Sequence, residues 1–280
     1  MRLSSIRLCL PVLMLSIVGP GAMAASLTDV NRFYTVSIEA RNVPYELFVN
    51  DIPVFNKTDE ASSINSKIYL NPWLIDGRNT FKIRILPVKV STTDPQDPKF
   101  CKVVISGPGD KGKPDAMLAQ AEVNPLHPSK DEPFTVALGY PAPAWAQSQK
   151  IGKDAATQQK ILDKYREFRR LLEKKDLDGI VKFSGAKFKE YAKSMYDPDF
   201  ESKAKSSLKE EFANPSNELI GIDVQEKNGL RYEYCYGDRL VRIRNDEDRS
   251  IIQYYDANEG VTTEYPLFFY FDGKDFVLIL

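Results

Sequence analysis

The sequence predicts two domains of different fold class, an all-β sandwich followed by an α+β domain whose helices pack on an antiparallel sheet. The chain has 280 residues, more than one compact module usually needs. Apolar and polar residues alternate with a strand period over residues 33–138, whereas the second half shows helical spacing first and strands afterwards. We therefore expect a β domain at 25–140, a linker at 141–156 and an α+β domain at 157–280.

The strands of the first domain are predicted from alternation and from turn residues. Residues 34–40 alternate apolar and polar side chains. Asn50-Asp51 separates two apolar runs, and both residue types tolerate the positive φ of a tight hairpin turn. A second hairpin is expected to turn at 76–79. Later strands are expected at 100–106 and 134–138, with a loop rich in proline and glycine between them.

Two runs of this domain are similar to a known family. Residues 46–54 read ELFVNDIPV, and residues 70–81 read LNPWLIDGRNTF. They resemble the galactose-binding-like β-sandwich, in which a strand ending in V-N-G precedes a segment of the type L-x-x-x-L-x-x-G-x-N. Because these motifs are structural turns, the resemblance implies a jelly-roll fold more than it implies sugar binding.

The second domain is predicted from a change of period. Apolar residues recur at helical spacing in 161–172 and 200–212, and shorter helical segments are expected at 177–183 and 187–195. From residue 219 the pattern returns to strands, as an antiparallel meander. The runs LLEKKDLDGIV, starting at Leu171, and FDGKDFVL, starting at Phe271, resemble the NTF2-like α+β fold.

The N-terminus has the pattern of an export signal. Arg2 and Arg7 precede a short apolar run at 8–18, and Ala22-Met23-Ala24 supplies small residues for cleavage. We expect a signal peptide at 1–24, cut after Ala24, and a periplasmic or secreted protein with no membrane span after cleavage.

Cys101 and Cys235 would remain after cleavage, in a compartment where disulfides persist. The sequence leaves open a bridge between them and two separately buried thiols.

Composition and motifs argue against most catalytic classes. The net charge of −1 provides no basic field for nucleic acid, so we expect no such partner. Gly107–Pro114 has the spacing of a phosphate-binding loop, but Pro114 stands where the loop needs a hydroxyl group. His127 is the chain's one histidine, and no nucleophile motif accompanies it. We expect no catalytic residues, no metal site and no cofactor.

Two sets of residues are candidate contact sites. Tyr232, Tyr234 and Tyr236 occupy alternate strand positions, where they could line a ligand pocket or form core beneath the helices. Residues 211–280 hold 7 basic and 14 acidic residues, and an acidic triplet lies within them in a predicted turn: Asp246, Glu247 and Asp248. The triplet could contact a basic partner or simply be a solvated face.

These observations predict an exported, non-catalytic binding protein. We expect its partner to be a protein of the bacterial envelope, in the manner of an inhibitor or immunity protein. The alternative is an envelope carbohydrate-binding module or a glycan-active enzyme that uses paired carboxylates.

Overall fold

The computed structural model describes residues 32–57, 60, 63–87, 93–94, 96–109, 115–213, 217–220, 229–245, 249–256 and 261–279. The chain divides between Ala142 and Pro143 into two compact units. In the described residues the first unit is built from strands and the second from four helices followed by strands. The described elements are therefore compatible with the predicted combination of β and α+β architecture.

The first unit contains two antiparallel sheets. Its described strands are β1 (Thr35–Arg41), β2 (Tyr45–Val49), β3 (Ile52–Lys57), β4 (Ile64–Tyr69), β5 (Gly77–Ile85), β6 (Phe100–Gly107), β7 (Ala116–Val123) and β8 (Ser129–Val136). One sheet has the order β4-β1-β6-β7 and the other has the order β3-β2-β5-β8. Two four-stranded antiparallel sheets are compatible with the predicted β-sandwich.

The strands follow the predicted alternation. On β1, Val36 and Ile38 are buried, whereas Glu39 between Ile38 and Ala40 is half-buried. On β5, Phe81 and Ile83 are buried and Arg84 is exposed. Apolar residues at every second position thus give each sheet one packed face, and burial of that face stabilises the unit.

Two asparagines of the sandwich-like motif hold its turns together. Asn50 has a φ of 52°, which asparagine adopts more readily than most residues. Its Nδ2 donates to the Trp73 carbonyl at 3.1 Å and to Asn79 Oδ1 at 2.8 Å. Its Oδ1 accepts from the Thr80 amide at 3.1 Å. The resemblance to a known motif therefore corresponds to a buried hydrogen-bond network between the β2–β3 turn and the start of β5.

The prediction of a loop between residues 106 and 134 is wrong, because β7 and most of β8 lie in this segment. The β7 sequence AMLAQAEV is rich in residues that favour helices, yet β7 pairs with β6 from Cys101↔Val123 to Gly107↔Ala116. Pairing with β6 and the burial of Ala121 and Val123 therefore outweigh the helix propensity of this sequence. The β8 strand tolerates charges and Pro133 because it lies at the edge of its sheet.

The second unit places its helices before its strands. The helices are α1 (Ala155–Glu173), α2 (Leu177–Phe183), α3 (Gly185–Ser194) and α4 (Phe200–Ala213). The described strands are β9 (Asn217–Ile220), β10 (Arg231–Cys235), β11 (Leu240–Arg244), β12 (Gln253–Asp256), β13 (Val261–Glu264), β14 (Phe269–Phe271) and β15 (Phe276–Leu278). They form two antiparallel sheets, of order β10-β11-β14-β15 and β13-β12-β9. The sequence pattern does not single out β13.

Residues 143–156, predicted as part of the linker, belong to the second unit. A short 3₁₀ helix covers Ala144–Gln147, and the Trp145 ring within it is fully buried. That ring meets the Tyr236 ring edge-on with centroids 4.9 Å apart. The Ile151 amide donates to the Asp238 carbonyl at 2.8 Å. The segment is therefore tied to the β10–β11 turn although its composition is that of a linker.

Helix α1 is anchored to the strands by Tyr165. This fully buried hydroxyl donates to the Leu267 carbonyl at 2.6 Å and accepts from the Ile243 amide at 2.8 Å. The helix begins at the Asp154 cap, whose carboxylate accepts from the Thr157 amide at 3.0 Å. The predicted amphipathic helix thus packs its apolar face on the sheet of β11 and β14.

Cys101 and Cys235 are both buried, and no disulfide joins them in this structure. Burial raises the pKa of the Cys101 thiol far above its ordinary value. Across the described residues, none of the helices combines the length and the hydrophobicity that a membrane span requires.

Candidate functional site

A cavity of ≈ 100 Å³ lies in the second unit, among the helices and the strands that follow them. Its apolar lining comes from Phe168, Ile180, Phe188, Phe200, Ala204, Leu208, Leu267 and Leu278. Its polar lining comes from Ser184, Lys187, Tyr191, Ser207, Glu211 and Tyr265. The cavity therefore has mainly hydrophobic walls and a few polar groups, the usual composition of a ligand site.

Helical spacing brings these groups together. On α3, Lys187 and Tyr191 are four residues apart and therefore lie on one face. On α4, Ala204, Leu208 and Glu211 share a face in the same way. Leu208 packs both against the main core of the unit and against a smaller cluster of Phe188, Phe200 and Ala204. The cavity lies where these two apolar clusters adjoin.

Lys187 is the cation of the cavity. Its Nζ lies 5.7 Å from the centroid of the Tyr191 ring, within the range of a cation–π contact. Across the part of the chain that the structure describes, no carboxylate lies within ion-pair distance of this ammonium group. Burial lowers the pKa of Lys187 to about 8, because removal from water disfavours the charged form. An ammonium in this position has unused capacity to bind an anion.

Glu211 and Tyr265 form the second polar group. The Tyr265 hydroxyl donates to Glu211 Oε1, which links α4 to the segment between β13 and β14. Burial raises the pKa of Glu211, and the Tyr265 hydrogen bond opposes that rise. Burial, and then the Glu211 charge, raise the pKa of Tyr265. The Tyr254 ring packs on Tyr265 with centroids 5.5 Å apart.

The predicted tyrosines lie elsewhere in the second unit. Tyr232 and Tyr234 are half-buried and pack against the main core, and the Tyr232 hydroxyl donates to the Gln158 carbonyl at 3.1 Å. Tyr236 follows the end of β10 and stacks edge-on with Trp145. The described lining of the cavity includes none of the three tyrosines. Their role as a ligand surface stays a prediction.

The predicted acidic triplet, Asp246, Glu247 and Asp248, lies outside the described residues. The residues on either side of it are described: the Asn245 amide donates to the Arg249 carbonyl at 2.9 Å. Its role as a partner contact stays a prediction.

Of the weaker sequence candidates, His127 lies in an exposed turn after β7. Its amide donates to Asn124 Oδ1 at 3.0 Å, so the turn is fixed by a side-chain cap. In the described ranges, no group of three or more His, Cys, Asp or Glu side chains is arranged to hold a metal ion. The part of the phosphate-loop candidate at 110–114 lies outside the described residues.

The sequence pattern alone does not single out Lys187 and Glu211. The available signal was a charged residue on the same helix face as an aromatic or apolar one: Lys187 precedes Tyr191 by four positions, and Glu211 follows Leu208 by three. Without a structure this signal is weak, because long charged side chains also lie at the edges of apolar faces.

Comparisons of the chain with protein-family models, with curated proteins and with solved structures found no significant match.

Proposed function

We propose that this protein is an exported binding protein whose second unit holds a small, largely apolar ligand in the cavity. One observation carries the proposal: the apolar cavity contains Lys187, whose ammonium group has no carboxylate partner within the described residues. A cavity of ≈ 100 Å³ is smaller than the roughly 150 Å³ engineered cavity that takes up benzene. By the ratio of these volumes, the buried part of the ligand has about four carbons.

We propose ligand binding and not catalysis, because the polar groups of the cavity can form hydrogen bonds and ion pairs with a ligand. The Lys187 ammonium group can donate a hydrogen bond to an acceptor group of the ligand, whereas Glu211 Oε1 already accepts a hydrogen bond from Tyr265. The absence of catalysis stays part of the proposal, and recovery of unchanged probe after prolonged incubation is the result that supports it.

Filling the cavity is expected to abolish binding. Ala204 is a buried lining residue on α4, and Ala204→Phe places a ring in the space that the ligand would occupy. The probes are linear carboxylates from butanoate to octanoate and the corresponding neutral amides, titrated by calorimetry. Dissociation constants on the order of millimolar are expected for ligands of this size. The variant is expected to weaken binding by about tenfold or more.

The matched control is Ala156→Phe, which adds the same ring at an exposed position of α1. It is expected to bind as the wild type does, and circular dichroism checks that both variants fold. The proposal is wrong if no probe of either series binds the wild type, or if folded Ala204→Phe binds as well as the control.

Export is a separate part of the proposal, supported by Arg2, Arg7 and the Ala22-Met23-Ala24 site. Protein recovered from the exported fraction of a bacterial host is expected to begin at Ala25 on N-terminal sequencing. Recovery of intact protein that begins at Met1 and stays in the cytoplasm would contradict it.

A protein partner, in an inhibitor or immunity role, remains a hypothesis for the acidic triplet Asp246, Glu247 and Asp248. Carbohydrate binding or carboxylate-dependent glycan chemistry remains the alternative for the first unit, whose galactose-binding-like fold is itself part of this proposal, as is the NTF2-like fold of the second. We prefer the small-ligand proposal because it rests on the positions of described side chains, whereas the acidic triplet lies outside the described residues.

A further inference from the structure

The polar groups of the cavity favour a negatively charged ligand, because Lys187 and Glu211 differ in the contacts that they already make. Glu211 accepts a hydrogen bond from Tyr265. Lys187 is half-buried, and among the described residues its ammonium group has a cation–π contact with the Tyr191 ring and no ion pair. An incoming anion can form an ion pair with this ammonium group, which a neutral group or a cation cannot do.

We propose that the ligand is a small monocarboxylate, with its carboxylate on Lys187 and its hydrocarbon body against Phe188, Phe200 and Leu208. This inference rests on the proposed function, since it names the class of molecule that the same cavity takes. The three apolar side chains come from α3 and α4, the helices that also carry Lys187 and Glu211. One end of the cavity's ligand is thus expected to be charged and the remainder apolar.

Helix α3 offers a matched pair of lysines for the test. Lys187 lines the cavity, whereas Lys189, two positions along the same helix, is exposed. Methionine keeps an aliphatic stem of similar length without the charge. Lys187→Met removes an ammonium that has no described carboxylate partner, so the variant is expected to fold with stability no lower than that of the wild type. Lys189→Met is the control.

Pentanoate and pentanamide are the probes, because they have the same shape and differ in charge. At about pH 7 the wild type and Lys189→Met are expected to bind pentanoate about tenfold or more tightly than pentanamide, as hydrogen bonds to charged groups are stronger. Lys187→Met is expected to lose this preference and to retain pentanamide binding.

The preference is also expected to depend on pH. The titratable groups that line the cavity with Lys187 are Tyr191, Glu211 and Tyr265. Burial raises the pKa of both phenols and of Glu211. Lys187 is charged below its pKa of about 8, so pentanoate affinity is expected to fall as the pH rises through that value. Pentanamide affinity is expected to stay flat.

The outcomes separate this inference from the proposed function. If neither probe series binds the wild type, the proposed function fails and the inference fails with it. If pentanamide binds the wild type as tightly as pentanoate, or if Lys187→Met keeps the preference for pentanoate, the carboxylate inference is wrong while the cavity-binding function stands.

Discussion

Asn79→Ala is expected to destabilise the first unit by about 3–5 kcal/mol, because its buried side chain makes four hydrogen bonds. Asn79 Oδ1 accepts from Asn50 Nδ2 and from the Ile75 amide at 3.0 Å. Its Nδ2 donates to the carbonyl groups of Ile75 at 2.8 Å and Gly77 at 3.0 Å. Alanine leaves the buried Asn50 amide and the half-buried backbone groups of Ile75 and Gly77 without this partner, and each unsatisfied buried group costs about 1–3 kcal/mol.

The measurement is urea unfolding followed by tryptophan fluorescence. The chain has two tryptophans, Trp73 in the first unit and Trp145 in the second, so a Trp145→Phe background reports the first unit alone. Asn65→Ala is the control, since Asn65 is exposed on β4, and its expected cost is below about 0.5 kcal/mol. Equal midpoints for the two variants would show that the network does not stabilise the unit.

Trp145→Ala is expected to destabilise the second unit by about 3–5 kcal/mol, the usual cost of emptying a buried tryptophan site. The ring is fully buried against Tyr236, so truncation leaves a cavity beside the β10–β11 turn. Trp145→Phe is the control: the buried Nε1 has no hydrogen-bond partner among the described residues, so phenylalanine loses contact area but no hydrogen bond. Its expected cost is clearly smaller.

Far-ultraviolet circular dichroism at the α-helical band measures this effect, because the four described α-helices all belong to the second unit. The alanine variant is expected to lose its helical signal at a lower urea concentration than the phenylalanine variant. A loss of less than about 1 kcal/mol would mean that residues 143–156 behave as the linker that their composition predicts.

The sequence predicts those elements in which local pattern and tertiary packing agree. Helix α1 has an amphipathic pattern over 161–172 and β1 alternates strictly, so both are predicted, although α1 begins at Ala155, within the segment predicted as linker. Strand β7 is missed because its alanine-rich sequence is compatible with a strand only beside β6. Trp145 looks like part of a linker because nothing local shows that Tyr236, ninety-one residues later, covers it.

The candidate site is less predictable than the fold. Lys187 and Glu211 are ordinary charged residues of amphipathic helices until α3 and α4 are packed, and only packing shows which of them is desolvated. The tyrosine stripe was a stronger sequence signal, because alternate aromatic residues on a strand are conspicuous. In the structure Tyr232 contributes its hydroxyl to α1 and its ring to the core.

The central claim is that the cavity of the second unit binds a small carboxylate by its hydrocarbon body and by Lys187. Intermolecular nuclear Overhauser effects between pentanoate and the labelled protein test it most directly. We expect contacts from the pentanoate methyl group to the rings of Phe188 and Phe200 and to the methyl groups of Leu208, with the methylene beside the carboxylate near Lys187. Contacts to Tyr232, Tyr234 and Tyr236 instead, or none at saturating pentanoate, would contradict it.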